Sequence, residues 1–290
     1  MECPLKGTLY VVSTPIGNLK DITFRAVEVL NEVDLVAAED TRHSRKLFSK
    51  YGIKTRLTSY YGAKEEIKGE EVLKELRRGK KVALISDAGT PGISDPGYFL
   101  IKNAAQEGHE VISIPGASAL VSALTISGLP TARFVFEGFL PPKAGARKKR
   151  LEFLKNEERT IVFYESPGRT LKTLPDMLEI FGDRKAALAR ELTKIHEEVV
   201  RGNISDIIEY FGENRVRGEV AIIVTGSSGL EPGSERDEGQ EFDLHALLEE
   251  AIEKGVSMKD ASEDIARKFN LSKRDVYQEM LGIKEKRIKK

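Results

Sequence analysis

Val82-Ala83-Leu84-Ile85-Ser86-Asp87-Ala88-Gly89-Thr90-Pro91-Gly92-Ile93-Ser94-Asp95-Pro96-Gly97 is the stretch that decides how this chain is read. Its first four residues are apolar and predict a buried strand; Tyr98 to Gln106 predicts a helix. Between them lies a loop rich in glycine, proline, serine and aspartate. Glycine permits positive φ and close backbone approach, and proline fixes φ and removes a donor. A strand-to-helix turn normally needs about 2–6 residues. A longer loop of defined shape, at the carboxyl end of a strand in an open α/β sheet, predicts a ligand wall rather than a connector.

On either side the chain alternates. Thr8–Val12, Leu35–Ala38, Lys81–Ile85 and Val111–Ile114 predict strands. Helices are predicted over 23–33, from Asp40 or Thr41 to Gly52, over 63–78, and from the opening loop to Gly108. Such alternation implies a mainly parallel sheet with right-handed crossovers. The loops after Val12, Ala38, Ile85 and Ile114 then share one edge. Beyond Pro130 the pattern changes. Strands are predicted at 133–139, 160–164, 185–191, 197–201 and 218–224, and helices near 147–155, 169–180 and 204–211. The closeness of 185–191 to 197–201 predicts a hairpin, so the second sheet is mixed. The expected organisation is an α/β domain over 1–116, a second α/β domain over 117–226 completing a cleft, and a flexible linker over 227–241. A helical segment over 242–290 completes it, and Ala261–Ala266 with Leu271–Tyr277 there resembles a helix-turn-helix.

Composition bounds the function. Lys+Arg and Asp+Glu both number 46 in 290 residues, so net charge points to no anionic partner and only local clusters can. The single cysteine, Cys3, excludes an internal disulfide or a multi-cysteine zinc site. No run is apolar enough to span a bilayer and no secretory pattern opens the chain, so a cytoplasmic protein is expected. Neither G-x-G-x-x-G after the first strand nor G-x-x-x-x-G-K-[ST] occurs, which argues against a dinucleotide-binding dehydrogenase or a P-loop NTPase.

Seven segments, read together, carry a resemblance: 13–18 (STPIGN), 38–42 (AEDTR), 86–97, 114–119 (IPGASA), 137–141 (EGFLP), 163–167 (FYESP) and 190–194 (RELTK). In this order they resemble the bacterial ribosomal RNA small subunit methyltransferase I group of the tetrapyrrole methylase superfamily. The resemblance covers about residues 5–225. It implies S-adenosylmethionine bound between two α/β domains, with S-adenosylhomocysteine as product and no metal. It also implies methylation of a cytidine 2′-hydroxyl in the decoding region of 16S rRNA within the small subunit, and a homodimer. On the family pattern, Pro15, Asp87, Ala88, Gly89, Thr90, Ile93, Ala117 and Ser118 hold the donor.

Methyl transfer from a sulfonium requires alignment for in-line displacement and a place for the hydroxyl proton. Glu165 is the first candidate for that proton, followed by Glu191 and Arg190; an ordinary ion pair is the competing reading for each. Asp87 is read as facing the donor's cationic region, and Asp95 as a helix-capping or turn residue. Candidate RNA contacts are Arg42, the basic run Lys143, Arg147, Lys148, Lys149 and Arg150, placed on a loop, then Lys194, Lys273 and Arg274. Two rival functions stand beside this one: methylation of a small tetrapyrrole on the same fold, and a donor-binding regulator that contacts nucleic acid without catalysis.

Overall fold

A computed structural model describes residues 6–61, 65–213, 216–227, 248, 251, 257–269 and 272–288. The chain forms two compact units, 1–230 and 231–290.

The first unit holds two five-stranded sheets. In the first, β1 (Thr8–Val12), β2 (Leu35–Ala38), β3 (Leu57–Ser59), β4 (Lys81–Ile85) and β5 (Glu110–Ile114) lie in the order β3-β2-β4-β1-β5. Every pairing is parallel. Leu57–Ser59 shows no periodicity of its own; it is a strand because it pairs with Val36–Ala38 at the sheet edge. Helices α1 (Phe24–Glu32), α2 (Thr41–Tyr51), α3 (Glu65–Arg77) and α4 (Tyr98–Gln106) make the crossovers.

Strand parity assigns each face. Val36, Ala38, Ala83 and Ile85 pack with Leu30 of α1 and Phe48 of α2, whereas Leu35, Ala37, Val82 and Leu84 pack with Leu73 of α3 and Leu100 of α4. Burial on both faces is why β4 reads as an unbroken apolar run. The chain leaves β1 toward β2 on one face and leaves β4 toward β5 on the other. The crevice between the carboxyl ends of β1 and β4 is therefore the topological switch point.

The second sheet is mixed. β6 (Phe134–Phe139), β7 (Thr160–Glu165), β8 (Lys185–Arg190), β9 (Glu198–Asn203) and β10 (Val220–Val224) take the order β6-β7-β10-β8-β9. Only β6–β7 is parallel among them, and β8–β9 is the expected antiparallel hairpin. Its outer face, with Ile161, Phe163, Leu188 and Ile222, packs on Leu151, Met177 and Phe211. Those three belong to α6 (Ala144–Leu154), α7 (Pro167–Phe181) and α8 (Ile204–Glu213). The inner face carries Val162, Ala187, Ala189, Ala221 and Ile223, and packs on α5 (Ala119–Ile126) and on Ile16 from the loop after β1. The basic run expected on a loop belongs to α6 from Ala144 onward.

In the second unit, α9 (Met258–Phe269) and α10 (Lys273–Ile288) share a small core of Leu248, Ala261, Ala266, Val276, Met280 and Ile283. The predicted linker beyond Ser227 lies outside the described residues; of the helix predicted through Leu244, Leu247, Leu248 and Ile252, the described residues 248 and 251 are helical.

Candidate functional site

A cavity of about 380 Å³ lies between the switch-point loops and the inner face of the second sheet. That is the scale of a small-molecule or cofactor site. The opening stretch forms one wall with Ala88, Gly89, Thr90, Ile93 and Asp95; Tyr164, Ala189 and Ala221 of the sheet face them. Alanine at 189 and 221 leaves room that larger inward residues would fill. Phe139, 55% exposed, stands in the lining with its ring 5.7 Å from that of Tyr164.

The wall is tied down by its neighbours. Thr14 N–H donates to Gly89 O at 2.8 Å and Gly89 N–H to Thr14 O at 3.0 Å, a two-way bridge between the loops after β1 and β4. The hydroxyls of Ser13 and Thr90 lie 2.8 Å apart. Gly89 makes the bridge at φ +81°, a conformation that favours glycine. Ser118 lines the cavity while its Oγ caps α5 by accepting from Val121 N–H.

The predicted donor residues divide between two hollows. Ala88, Gly89, Thr90, Ile93 and Ser118 gather on the large cavity. Pro15 and Asp87 line a second hollow of about 240 Å³ with Thr14, His43, Ser44 and Lys46. Ala117 lines neither and packs in the inner core beside Ile16 and Ala88.

The two aspartates of the loop sit in different surroundings. Asp87 joins two loops: its Oδ1 accepts from Asp40 N–H at 3.0 Å, and its own N–H donates to Glu39 Oε2 at 3.2 Å. Asp95 caps nothing. Helix α4 begins at Gly97 without a cap from its own segment. Glu65 Oε1 of α3 accepts from Gly97 N–H at 2.9 Å and Phe99 N–H at 3.3 Å, and from the Tyr60 hydroxyl. Asp95 instead lines the cavity, where burial, and then the charge of Glu39, push its carboxyl up to about 6; a Ser86 hydrogen bond opposes the shift and Asp87 and Glu219 add to it. Burial likewise pushes the Tyr164 hydroxyl up to about 12 and raises Glu39.

Parity explains the candidate catalytic carboxylate. Glu165 follows Ile161 and Phe163 onto the outer face of β7, whereas Tyr164 follows Val162 inward. Glu165 reaches the edge of the lining but is only 2% exposed, and both of its oxygens are engaged. Ser166 N–H donates to Oε1 at 2.8 Å, Thr173 Oγ1 to Oε2 at 2.7 Å, and the Arg169 guanidinium lies 3.1 Å away. Arg190 shares the outward parity of Ala186 and Leu188, is outside the cavity lining, and pairs with Glu198 at 2.6 Å. The same alternation, applied to each strand as a whole, is the signal that separates these two from Tyr164. Glu191 and Lys194 do line the cavity, paired at 2.9 Å, with Glu219 3.1 Å from the same ammonium; the pairing holds Glu191 below the usual carboxylate range.

Among the described residues, the non-glycine residues at positive φ are Ser94, Glu191 and Thr193. Two of them, Ser94 and Glu191, line the cavity. Such backbone persists where surrounding structure enforces it.

The predicted RNA contacts separate as well. Arg147 is 5% exposed and locked to Asp176 with Nε 2.7 Å from Oδ2, so its guanidinium is buried and already paired within the protein. Lys148 pairs with Glu179 and Arg150 with Glu137, each at 2.6 Å; Lys143 and Lys149 are exposed. Arg42 folds back on Asp40, the residue that caps α2, at 2.8 Å. In the second unit Lys273 pairs with Glu263, and Arg274 is exposed.

Comparison with known proteins bears on the whole of this arrangement. The family model described as Tetrapyrrole (Corrin/Porphyrin) Methylases matches residues 8–208. A Bacillus subtilis protein named ribosomal RNA small subunit methyltransferase I is 44% identical over 271 residues, 93% of each chain. A Thermotoga maritima protein of the same name is 50% identical over 220 residues, which cover 76% of this chain and 99% of that one. Among solved structures, uroporphyrin-III-C-methyltransferase from Thermus thermophilus covers 77% of this chain and 94% of its own at a TM-score of 0.53 and 21% identity. A diphthine synthase covers 76% of this chain and 90% of its own at a TM-score of 0.59 and 15% identity. At such identities the structures share the fold.

Proposed function

The chain belongs to the tetrapyrrole methylase family and, within it, to the ribosomal RNA small subunit methyltransferase I group; from that premise we propose that it is an S-adenosylmethionine-dependent methyltransferase. Its target in this reading is the 2′-hydroxyl of a cytidine in the decoding region of 16S rRNA, and it acts as a cytoplasmic homodimer on the small ribosomal subunit. The named relatives support the RNA substrate. The choice of a cytidine 2′-hydroxyl rests on the family resemblance; Asp95, a carboxylate in the cavity wall pushed up to about 6 and with no cation paired to it among the described residues, supplies a base for the proton. Methylating an oxygen requires somewhere for its proton to go, and a base poised near the working pH serves best.

The cavity suits a cationic donor. Asp95 feels the like charges of Glu39, Asp87 and Glu219, so the site concentrates negative potential where a sulfonium and an ammonium would be stabilised. When bound, S-adenosylmethionine supplies a methyl group on a sulfonium that carries its own leaving group. Ala88, Gly89, Thr90 and Ser118 would hold it through the wall that the Thr14–Gly89 bridge makes rigid. Asp95 accepts the hydroxyl proton at a carboxylate oxygen. Tyr164 stays protonated at neutral pH and is available as a donor to orient substrate. Phe139 offers an exposed ring on which an unstacked base can rest. Glu165, with its oxygens engaged, anchors the start of α7 beneath the site.

The test is incubation of small subunits lacking the modification with labelled donor, followed by mapping of the product. A 2′-O-methylcytidine in the decoding region is expected. A methylated base, a methylated tetrapyrrole or an unlabelled subunit would overturn the reading.

A further inference from the structure

From Thr41 to Lys64 the sequence holds seven Lys or Arg residues (42, 45, 46, 50, 54, 56 and 64) and no Asp or Glu, in a chain whose charges otherwise balance. The described part of this stretch is mostly α2 and the turn after it. Ser44, Leu47 and Phe48 turn inward, which leaves Arg42, His43, Arg45, Lys46 and Lys50 on the outer face. Arg42 is answered by Asp40. Among the described residues no carboxylate comes within ion-pairing distance of Arg45, Lys46 or Lys50.

The contrast with α6 is electrostatic. That helix looks just as basic in sequence, yet Arg147, Lys148 and Arg150 are each held by a carboxylate of α7 or β6. A cation already paired within the protein offers a phosphate less than a free one, because its counter-charge must first be displaced.

Position favours α2 too. Its first turn follows the Glu39–Asp40 loop, which Asp87 ties to the site, and His43 and Lys46 line the hollow beside Pro15 and Asp87. From there the helix carries its cations outward over about 12 Å between Arg42 and Lys50, at roughly 1.5 Å per residue.

We propose that the outer face of α2, through Arg45, Lys46 and Lys50, is the surface that grips the phosphate backbone of the substrate RNA beside the site. The proposal rests on the RNA substrate argued above and assigns it a docking face that α6 does not supply.

The experiment measures binding of the full-length protein to undermethylated small subunits from about 0.05 to 0.2 M salt. The proteins compared are wild type, the R45Q/K46Q/K50Q variant and, as control, K143Q/K149Q. For the α2 variant, affinity at 0.1 M salt should fall at least tenfold. The slope of log affinity against log salt should shrink by about 2 to 3, three contacts at roughly 0.7–0.9 each. Its thermal melting temperature should match that of the wild type, which shows that the variant is folded. The control should keep the wild-type slope. A wild-type slope in the α2 variant, or a loss confined to the control, overturns the proposal. Wild-type protein that neither binds nor labels small subunits overturns the functional reading instead.

Discussion

Thr14 and Gly89 exchange two backbone hydrogen bonds, 2.8 and 3.0 Å long, across loops that follow different strands. This one contact turns the carboxyl ends of β1 and β4 into a single wall, and the cavity inherits its shape from it. Gly89 sits there at φ +81°, and a Cβ would meet only Ile16 Cγ2 at 3.5 Å and Ala117 O at 3.9 Å. A substitution therefore costs backbone strain rather than a clash. Gly89→Ala should lower stability by about 1–2 kcal/mol and weaken donor binding, read by thermal melts and calorimetry. Wild-type affinity in a folded variant would show that the wall does not shape the donor site.

Asp95→Asn should bind the donor yet lose most of its methylation rate. Wild-type kcat should rise with pH through about 6 and level off above it, as the raised carboxyl loses its proton; the variant should lack that rise. The sign for stability follows from the same shift. A carboxyl raised in the folded state costs stability as pH climbs from its unfolded value near 4 through 6. Above pH 6 the Asn variant should be stabilised, by about 1 kcal/mol after discounting for solvent screening. A residue that capped a helix would show no such gain, because Asn caps a helix about as well as Asp.

Glu65→Ala removes the acceptor shared by Gly97 N–H, Phe99 N–H and the Tyr60 hydroxyl. It should cost about 1–2 kcal/mol, the scale of a lost helix cap. Denaturant titration checks it, and a neutral outcome would mean that α4 is capped otherwise in solution.

Glu165→Gln breaks the buried pair with Arg169 and should destabilise by about 3 kcal/mol. The surviving activity should keep the wild-type pH dependence. If the rise near pH 6 disappeared in this variant and persisted in Asp95→Asn, Glu165 would be the base.

A chain ending at Leu230 should fold and bind the donor with affinity within a factor of a few of the full-length protein. The two units have separate cores, and the Thermotoga maritima relative aligns over almost its whole length with only 76% of this chain. Calorimetry on the truncated chain checks this.

Much of the architecture is legible in the order of residues alone. Alternating strands and helices, with apolar runs buried on both faces, mark the parallel sheet. The closeness of 185–191 to 197–201 marks the hairpin of a mixed one. The role of the 86–97 loop as a cavity wall follows from the same logic, since loops at the carboxyl ends of parallel strands converge; Ala88 to Thr90, Ile93 and Ser118, which the family resemblance implies, line that cavity. Even the outward turn of Glu165 and Arg190 is written in strand parity, because Ile161, Phe163, Ala186 and Leu188 share it.

Which charges are free is not legible there. Asp87 and Asp95 both follow a serine in one loop, and nothing local separates them. Asp40, from the end of another strand, engages the first; Glu65, on another helix, takes the capping role and leaves the second facing the cavity. Likewise Asp176 makes Arg147 a structural residue, whereas no carboxylate among the described residues reaches Arg45. Hydrophobic periodicity reports burial, which each residue expresses beside its neighbours in sequence. Neutralisation of a charge is a pairwise event between segments far apart in sequence, and only the packed chain decides which pairs meet.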